Sequence, residues 1–197
     1  MRYVYLVSLL LSFALPARAA DPTPSATPDA TMLAFYAWVL DNPSAGIPDA
    51  DARTKLAPLL STQLMKLLEQ AAETDARCLQ TVEEGDKPDV YEGDLFTGIY
   101  EGATDAAFHK MVIGKGGVAK ADVDLIYIDP SFPKSDRNHA VVWRNTIELR
   151  KVGDRWIVYD IAFAPKWTLI KTLEGHIAEG ARSCVLPATT GKSPRRP

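Results

Sequence analysis

The stretch "HAVVWRNTIELRKVGDRWIVYDIAF", residues 139–163, decides the fold. Its first half alternates between apolar and polar side chains, and a period of two predicts a β-strand with one buried face. The dipeptide Gly-Asp at 153–154 favours a chain reversal, so residues 155–163 are predicted to return as a second, antiparallel strand. The apolar face of the first strand is predicted to hold Val141, Trp143, Ile147 and Leu149.

A second hairpin is predicted upstream of this one. Residues 107–115, "AFHKMVIGK", and residues 118–129, "VAKADVDLIYID", are strand-like, and the glycine-rich "GKGG" at 114–117 joins them. This glycine-rich segment lacks the Walker pattern, so it indicates a turn rather than a phosphate-binding loop. No helix separates the strands of either pair, which favours an antiparallel sheet over parallel βαβ units.

Helices are predicted on both sides of the strands. The first begins with an N-cap at Thr31, and the second spans residues 51–78 with an interruption at Pro58, after which Ser61 caps its second half. A last helix spans residues 169–184. This order predicts an α+β domain with helices packed on one face of an antiparallel sheet of about four strands.

Residues 1–19 have the composition of a secretory signal peptide. Arg2 supplies a positive charge, the apolar run "YVYLVSLLLSFAL" follows, and Ala17 and Ala19 fit a small-x-small cleavage site. The run is shorter than the ~20 apolar residues that a membrane span needs, which makes an uncleaved anchor the weaker alternative. We therefore expect Sec-type export, with cleavage after about Ala19, to a bacterial periplasm or to the outside of the cell.

The composition is that of one globular domain. The 197-residue chain is 47% hydrophobic and 24% charged, with a formal net charge of −3 and a pI near 5.6. Such a balance argues against a nucleic-acid-binding protein, which usually presents a basic surface. We expect a flexible tether at 20–30, the domain at 31–185 and a disordered basic tail at 186–197.

The chain has two cysteines, Cys78 near the end of the second predicted helix and Cys184 at the end of the last. In an oxidising compartment two lone cysteines most often pair, although two free buried thiols are the alternative. The chain-entropy model gives such a long closed loop about 4–5 kcal/mol of stabilisation. The histidines His109, His139 and His176 lack zinc-ligand spacing, so neither a metal nor another cofactor is predicted.

Four short motifs support a family resemblance: "EGDLF" at 92–96, "YIDP" at 127–130, "VVW" at 141–143 and "GDRWIVYDIAF" at 153–163. In their order and spacing they resemble the DUF3828 family, exported bacterial proteins of unknown function in the NTF2-like, cystatin-like superfamily. The resemblance covers about residues 32–184. Many members look like lipoproteins, whereas this chain lacks a lipobox cysteine, which argues against membrane tethering here.

The resemblance implies an NTF2-like cone. In such a cone a strongly curved antiparallel sheet is closed by N-terminal helices, with a pocket at the open end. Related folds serve isomerases, dehydratases, binding modules and structural domains alike, so the fold alone gives no function.

Asp160 is an acid within an otherwise apolar strand. One hypothesis makes it a general base in the cone, with Tyr159 or His139 as the acid; the other makes it a structural hydrogen-bond acceptor. Both require a donor, because a buried carboxylate without a partner is costly. Strict alternation places its side chain on the same strand face as Trp156 and Val158.

Other candidates interrupt apolar patterns or lie near the glycine-rich segment 91–102. Asn145 interrupts the apolar face of its strand, where it either reads a ligand's polar edge or bonds to backbone. Asp94 fits the cap of a short turn better than a metal ligand. The candidate ligand- or partner-binding residues are Asp94, Phe96, Tyr127, Trp143, Asn145, Asp160 and Trp167.

No assembled catalytic set is visible in the sequence. This favours an exported, non-catalytic module that binds an envelope protein or a small apolar ligand, for example an immunity or inhibitor protein. The alternative is a small NTF2-like isomerase or hydrolase with Asp160 as general base. The alternative requires Asp160 in a concave pocket, within hydrogen-bond reach of a second titratable group.

Overall fold

A computed structural model describes residues 24–43, 45–83 and 85–185. The predicted signal peptide, the beginning of the predicted tether and the predicted tail lie outside these residues. Within them the chain forms helices and one antiparallel sheet, so the α+β prediction is confirmed. The helices are α1 (Pro28–Asp41), α2 (Ala50–Leu56), α3 (Thr62–Thr81) and α4 (Leu169–Ser183). The strands are β1 (Asp105–Phe108), β2 (Val112–Ile113), β3 (Val118–Ile128), β4 (Ala140–Val152), β5 (Arg155–Ala164) and β6 (Trp167–Thr168).

The strands follow the order β1-β3-β4-β5-β6, and β2 also pairs with β3. Both predicted hairpins are present, since β2 pairs with β3 and β4 pairs with β5. The predicted continuous strand 107–115 is wrong: it is divided into β1 and β2, and Met111 between them turns into the core. The two-residue strand β6 was not predicted, because such a short element has no periodicity to detect.

Helix α1 begins earlier than the sequence analysis predicts. Thr27, not Thr31, is the N-cap, and its hydroxyl oxygen accepts a hydrogen bond from Ala30 N at 3.4 Å. Pro28 favours this start because its fixed φ suits the first helical position. Thr31 is buried inside the helix and donates to the carbonyl of Trp156 at 3.2 Å. The last three residues assigned to the tether, 28–30, are therefore helical.

The core lies between the inner face of the sheet and the helices. Helix α3 begins as predicted, with Ser61 Oγ accepting from Leu64 N at 3.2 Å. Its buried side is apolar, and such side chains contribute about 1.5–3 kcal/mol each when fully buried. The largest fully buried side chains of the domain are Tyr36, Phe35, Phe96, Met32, Leu56, Leu59, Leu64, Leu68, Leu95, Leu125, Ile147 and Leu149.

A β-bulge changes which side chains of β5 face the core. Glu148 pairs with Asp160 and Leu149 pairs with Val158, so Tyr159 has no opposite residue. One extra residue in a strand reverses the alternation beyond it. The predicted two-face alternation of β5 is therefore wrong: Trp156, Val158 and Ile161 are all buried.

The predicted pairing of Cys78 and Cys184 is confirmed. Their sulfur atoms are bonded and their Cα atoms are 4.8 Å apart, which joins the end of α3 to the end of α4. The same two helices are linked by His176 Nε2 and Asp75 Oδ1, 2.6 Å apart. The bridge closes a loop across 106 positions, which contains the whole sheet.

Replacing Cys78 and Cys184 together by Ala is expected to lower the free energy of unfolding by about 2–4 kcal/mol, because an unbridged unfolded chain has more conformational entropy. Urea unfolding followed by tryptophan fluorescence measures the change. Reduction of the wild-type protein with dithiothreitol should lower the midpoint similarly. An unchanged midpoint in both experiments would contradict a stabilising bridge.

Candidate functional site

Four of the predicted site residues meet around the carbonyl oxygen of Thr97. From β4, Trp143 Nε1 and Asn145 Nδ2 both donate to this oxygen, at 2.9 and 2.8 Å. Asp94 and Phe96 belong to the turn that carries Thr97. The shared acceptor holds the segment 93–102 against the inner face of β4.

Asp94 maintains the shape of this turn, as its predicted capping role requires. Its Oδ1 accepts from Phe96 N at 2.9 Å, from Thr97 N at 2.8 Å and from Thr97 Oγ1 at 2.8 Å. Burial raises the pKa of Asp94, and the hydrogen bonds from Thr97 and Phe96 offset only part of that rise. The acceptor capacity of Oδ1 is therefore used inside the protein.

Two buried polar atoms near this turn, Tyr36 Oη and Asn145 Oδ1, have no hydrogen-bond partner among the described residues. The ring of Tyr36 lies 5.8 Å from that of Phe108, and Phe108, Val123 and Asn145 follow one another across the sheet. Burial, and then the charge of Asp94, raise the pKa of Tyr36 well above its ordinary value. Sequence analysis missed Tyr36 because it fits the apolar stripe of α1.

A groove opens where β4 and β5 separate. Their pairing ends at Thr146 and Ala162, although β4 extends to Ala140. Gly98 packs below the gap: its φ is +80°, and a Cβ there would lie 2.6 Å from the Phe163 ring. The groove has a volume of about 560 Å³ and is lined by Arg144, Thr146, Ala162, Phe163, Ala164, Pro165, Lys166 and Thr168.

Alternate residues in the first half of β4 direct their backbone groups away from β3. Asp129 and His139 would be the next opposite pair of the β3–β4 ladder, and the N–H of Asp129 donates to the carbonyl of His139 at 2.9 Å. Because hydrogen-bonded pairs alternate along an antiparallel ladder, the odd-numbered residues of β4 bond to β3. The outward N–H and C=O groups belong to Ala140, Val142 and Arg144, and β5 pairs with none of these residues. We call this row the free edge of β4.

Other edges of the sheet are covered or short. At the start of β5, Trp156 N donates to Ser25 O at 3.1 Å and Val158 N donates to Leu59 O at 2.8 Å. At the end of β5, the edge that faces away from β4 is covered by β6. The edge strands β1 and β2 have only four and two residues, a common protection against unwanted strand pairing. Among the described residues, no strand pairs with the free edge of β4, which belongs to a strand of 13 residues.

Both charged residues that line the groove are basic. Arg144 Nε and Nη2 donate to the carboxylate of Asp124 at 2.6 and 2.9 Å, and His109 Nε2 lies 2.9 Å from the same carboxylate. Hydrogen bonds from Arg144 and His109 lower the pKa of Asp124. Lys166, on the opposite wall, has a φ of +70° and is the only non-glycine residue with positive φ in the part of the chain that the structure describes.

Asp160 lies opposite Glu148 on the outer face and accepts two backbone hydrogen bonds. Its Oδ1 accepts from Ile161 N at 2.9 Å and from Ile170 N, in the first turn of α4, at 3.1 Å. Among the described side chains no titratable group is hydrogen-bonded to it. This is the arrangement of a structural acceptor, and it gives the general-base hypothesis no second group.

The two proposed acids lie elsewhere. Tyr159 donates its hydroxyl to Gln63 Oε1 at 3.0 Å, and the guanidinium carbon of Arg150 lies 3.2 Å from its ring centroid. His139 precedes β4, and its Nδ1 is 2.8 Å from the carbonyl oxygen of Phe132. It is about 30 Å along the extended strand from the position opposite Asp160, too far for an acid–base pair.

The remaining candidates do not join the Thr97 cluster. Trp167 is 47% exposed, its ring centroid lies 5.1 Å from that of Phe163, and its Nε1 donates to Thr172 Oγ1 at 2.9 Å. Tyr127 is half-buried and pairs with Val141 near the end of the β3–β4 hairpin. Arg144 and Lys166 were not proposed as site residues, because only the separation of β4 from β5 brings them to one groove.

In residues 24–43, 45–83 and 85–185, no three His, Cys, Asp or Glu side chains are grouped to bind a metal ion. None of the helices in this part of the chain is long and apolar enough to cross a membrane. Comparison with protein-family models, with curated proteins and with solved structures finds no match. Membership of the DUF3828 family and the NTF2-like cone therefore stay predictions from the sequence motifs.

Asp94→Asn should remove a pH-dependent contribution to stability. The pKa of Asp94 is raised in the folded state, so this state holds the proton more readily than the unfolded chain does. The favourable contribution is complete below the unfolded pKa and is lost as pH rises through the folded pKa. The free energy of unfolding of the wild type, measured relative to D94N, should therefore increase as the pH is lowered from 7 to about 4. Urea unfolding of both proteins across this range measures the difference.

Asp94→Ala is the control for the turn itself. It leaves the N–H groups of Phe96 and Thr97 without an acceptor and should cost about 1–3 kcal/mol at pH 7, whereas Asn keeps an acceptor oxygen. A wild-type minus D94N difference that does not change with pH would contradict the raised pKa.

Tyr36→Phe should leave stability unchanged or increase it by up to about 1 kcal/mol, because the removed hydroxyl has no protein partner among the described residues. Thermal unfolding measures the effect. Tyr159→Phe, which breaks the hydrogen bond to Gln63, serves as the matched control. A clear loss of stability in Y36F alone would show that the Tyr36 hydroxyl has a partner in solution.

Proposed function

We propose that this protein is an exported, non-catalytic binding module that holds an extended segment of a partner protein along the free edge of β4. One observation carries the proposal. The outward backbone groups of Ala140, Val142 and Arg144 have no neighbouring strand in the described chain, and Arg144 also lines the groove of about 560 Å³.

Strand addition supplies the physical basis. An extended segment that pairs with a sheet edge gains main-chain hydrogen bonds, and pockets for its alternate side chains give specificity. Here the added strand would continue the sheet in the gap that β5 leaves. Its side chains would alternate between the outer face, next to Val142 and Arg144, and the inner face, next to Val141 and Trp143.

The side chains along this edge suit a partner that brings apolar residues. Val141 is 51% exposed and Val142 is 59% exposed. Such β-branched residues pair well across strands, and covering them removes apolar surface from water. An unprotected edge with exposed valines is otherwise a liability for a free domain, which favours a bound state as its working condition.

A segment of another protein fits this edge better than a second copy of the chain. Pairing two copies about a two-fold axis would place the same β4 residues, including Arg144, close to one another. Like charges at such short range oppose association, and Lys166 on the groove wall adds a second positive charge on each side. A single extended segment of another protein avoids this repulsion, and it is smaller than a second folded copy of the domain.

Export is part of the proposal and has three supports. The bond between Cys78 and Cys184 is of the kind that persists in oxidising compartments, and residues 1–19 have the composition of a signal peptide. The resemblance to DUF3828 points the same way. We also propose that the antiparallel sheet with its packed helices belongs to the NTF2-like group, which includes binding modules.

The test uses phage-displayed random dodecapeptides selected against the full mature chain. Selected peptides are synthesised, and amide hydrogen exchange of the protein is compared with and without each peptide. We expect slowed exchange at Val142 and Arg144, whose N–H groups point away from β3 along the free edge. Selection of peptides that protect other surfaces instead, or of none at all, would overturn the proposal.

Val142→Pro is expected to abolish peptide binding, because it removes an outward N–H without removing a hydrogen bond to β3. Val142→Thr is the matched control, since it keeps the N–H and the β-branched shape, and should bind within about twofold of the wild type. Isothermal titration calorimetry measures both, and circular dichroism establishes that both variants fold. Equal affinity of the two variants would contradict binding by strand addition.

A further inference from the structure

We infer that the segment held by β4 carries an acidic side chain at the position that faces Arg144 and Lys166. The inference rests on the proposed function and names the chemistry of the partner. Its first support is the charge of the groove: among its lining residues both charged side chains are basic and none is acidic. Two carboxylates lie behind the wall of the groove that β4 forms, Asp124 bound to Arg144 and Asp122 bound to Thr146, whereas the opposite wall carries the positive charge of Lys166.

The two bases have different surroundings. Arg144 is held in place by its two hydrogen bonds to Asp124, which also compensate part of its charge. Lys166 forms none of the salt bridges found among the described residues. Behind it, Lys171 Nζ donates to the carbonyl of Lys166 at 3.3 Å and adds a second positive charge to the turn. Lys166 is thus the stronger site for a carboxylate.

The backbone of Lys166 gives independent support. Residues 165–166 form the two-residue turn between β5 and β6, and Lys166 has the positive φ that glycine adopts most easily there. Apart from Asn and Asp, L-residues are strained in this conformation, so Lys166 lowers the stability of the turn relative to glycine. Strained residues that persist concentrate at functional sites, and here the strained side chain lines the groove.

The experiment uses the tightest peptide from the selection, synthesised with an acetylated N-terminus and an amidated C-terminus, so that side chains supply its only carboxylates. Each acidic residue is replaced in turn by Gln, and each peptide is titrated into the wild type and into Lys166→Gly. We expect one Glu or Asp whose replacement weakens binding to the wild type by about two- to fivefold, and which loses this effect in K166G.

K166G also provides its own folding control. Glycine relieves the positive-φ strain, so its melting temperature should equal or exceed that of the wild type while its affinity falls. Lys66→Ala removes the same charge from the exposed side of α3 and should change neither property. Opposite changes in stability and affinity at Lys166 are not expected from a residue with a purely structural role.

The two proposals fail in different ways. In one outcome, peptides protect Val142 and Arg144 from exchange but contain no acidic residue whose replacement weakens binding. In another, the ratio of the affinities for the acidic and the Gln peptide is the same in K166G as in the wild type. In either case strand addition stands and the acidic partner is wrong. If no peptide protects these amides, the proposed function itself is wrong, and this inference with it.

Discussion

The groove and the free edge depend on one shared acceptor, the carbonyl oxygen of Thr97. Two donors from β4, Trp143 Nε1 and Asn145 Nδ2, converge on it, so the turn that Asp94 shapes is fastened to the inner side of that strand. The next residue, Gly98, then meets the Phe163 ring so closely that no side chain fits between them. Beyond Ala162, where Phe163 contacts this segment, β5 no longer pairs with β4, while its other edge pairs with β6. The buried hydrogen bonds to Thr97 thus hold the segment that lies next to the groove and the free edge of β4.

This arrangement explains why polar residues occupy positions that the apolar pattern would assign to the core. Asn145 is 1% exposed, yet an apolar residue of similar size there would remove one of the two bonds that fasten the turn. The pKa of Asp94 is raised by burial, so its charge costs free energy that a neutral cap would not. Both residues therefore lower stability but fix the position of the turn, which contacts Phe163 just beyond the last β4–β5 pair.

The sequence predicted those elements whose signals are local. Alternation along 140–152 and the Gly-Asp reversal located β4 and its hairpin, and Ser61 located the start of α3. The bulge at Tyr159 escaped prediction because an extra residue interrupts alternation without any characteristic residue type. The free edge of β4 was not predicted, because it exists only where β5 does not pair with β4. The residues that contact the end of β5 lie some sixty positions earlier, in the segment 93–102. Arg144 and Lys166 are ordinary surface residues until that segment brings them to one groove.

The interior of the domain argues for an edge, rather than a central pocket, as the place of recognition. Phe35 packs edge to face against Tyr36 and Phe96, with ring centroids 5.2 and 5.5 Å away, and all three side chains are fully buried. A ligand entering there would have to displace aromatic side chains that already fill the space, at the cost of several kcal/mol for each large side chain removed from the core. Backbone groups on the free edge require no such displacement, because pairing replaces water with an added strand and leaves the core unchanged. Because these three aromatic rings are packed together in the core, binding at the sheet edge is the less costly mode of recognition.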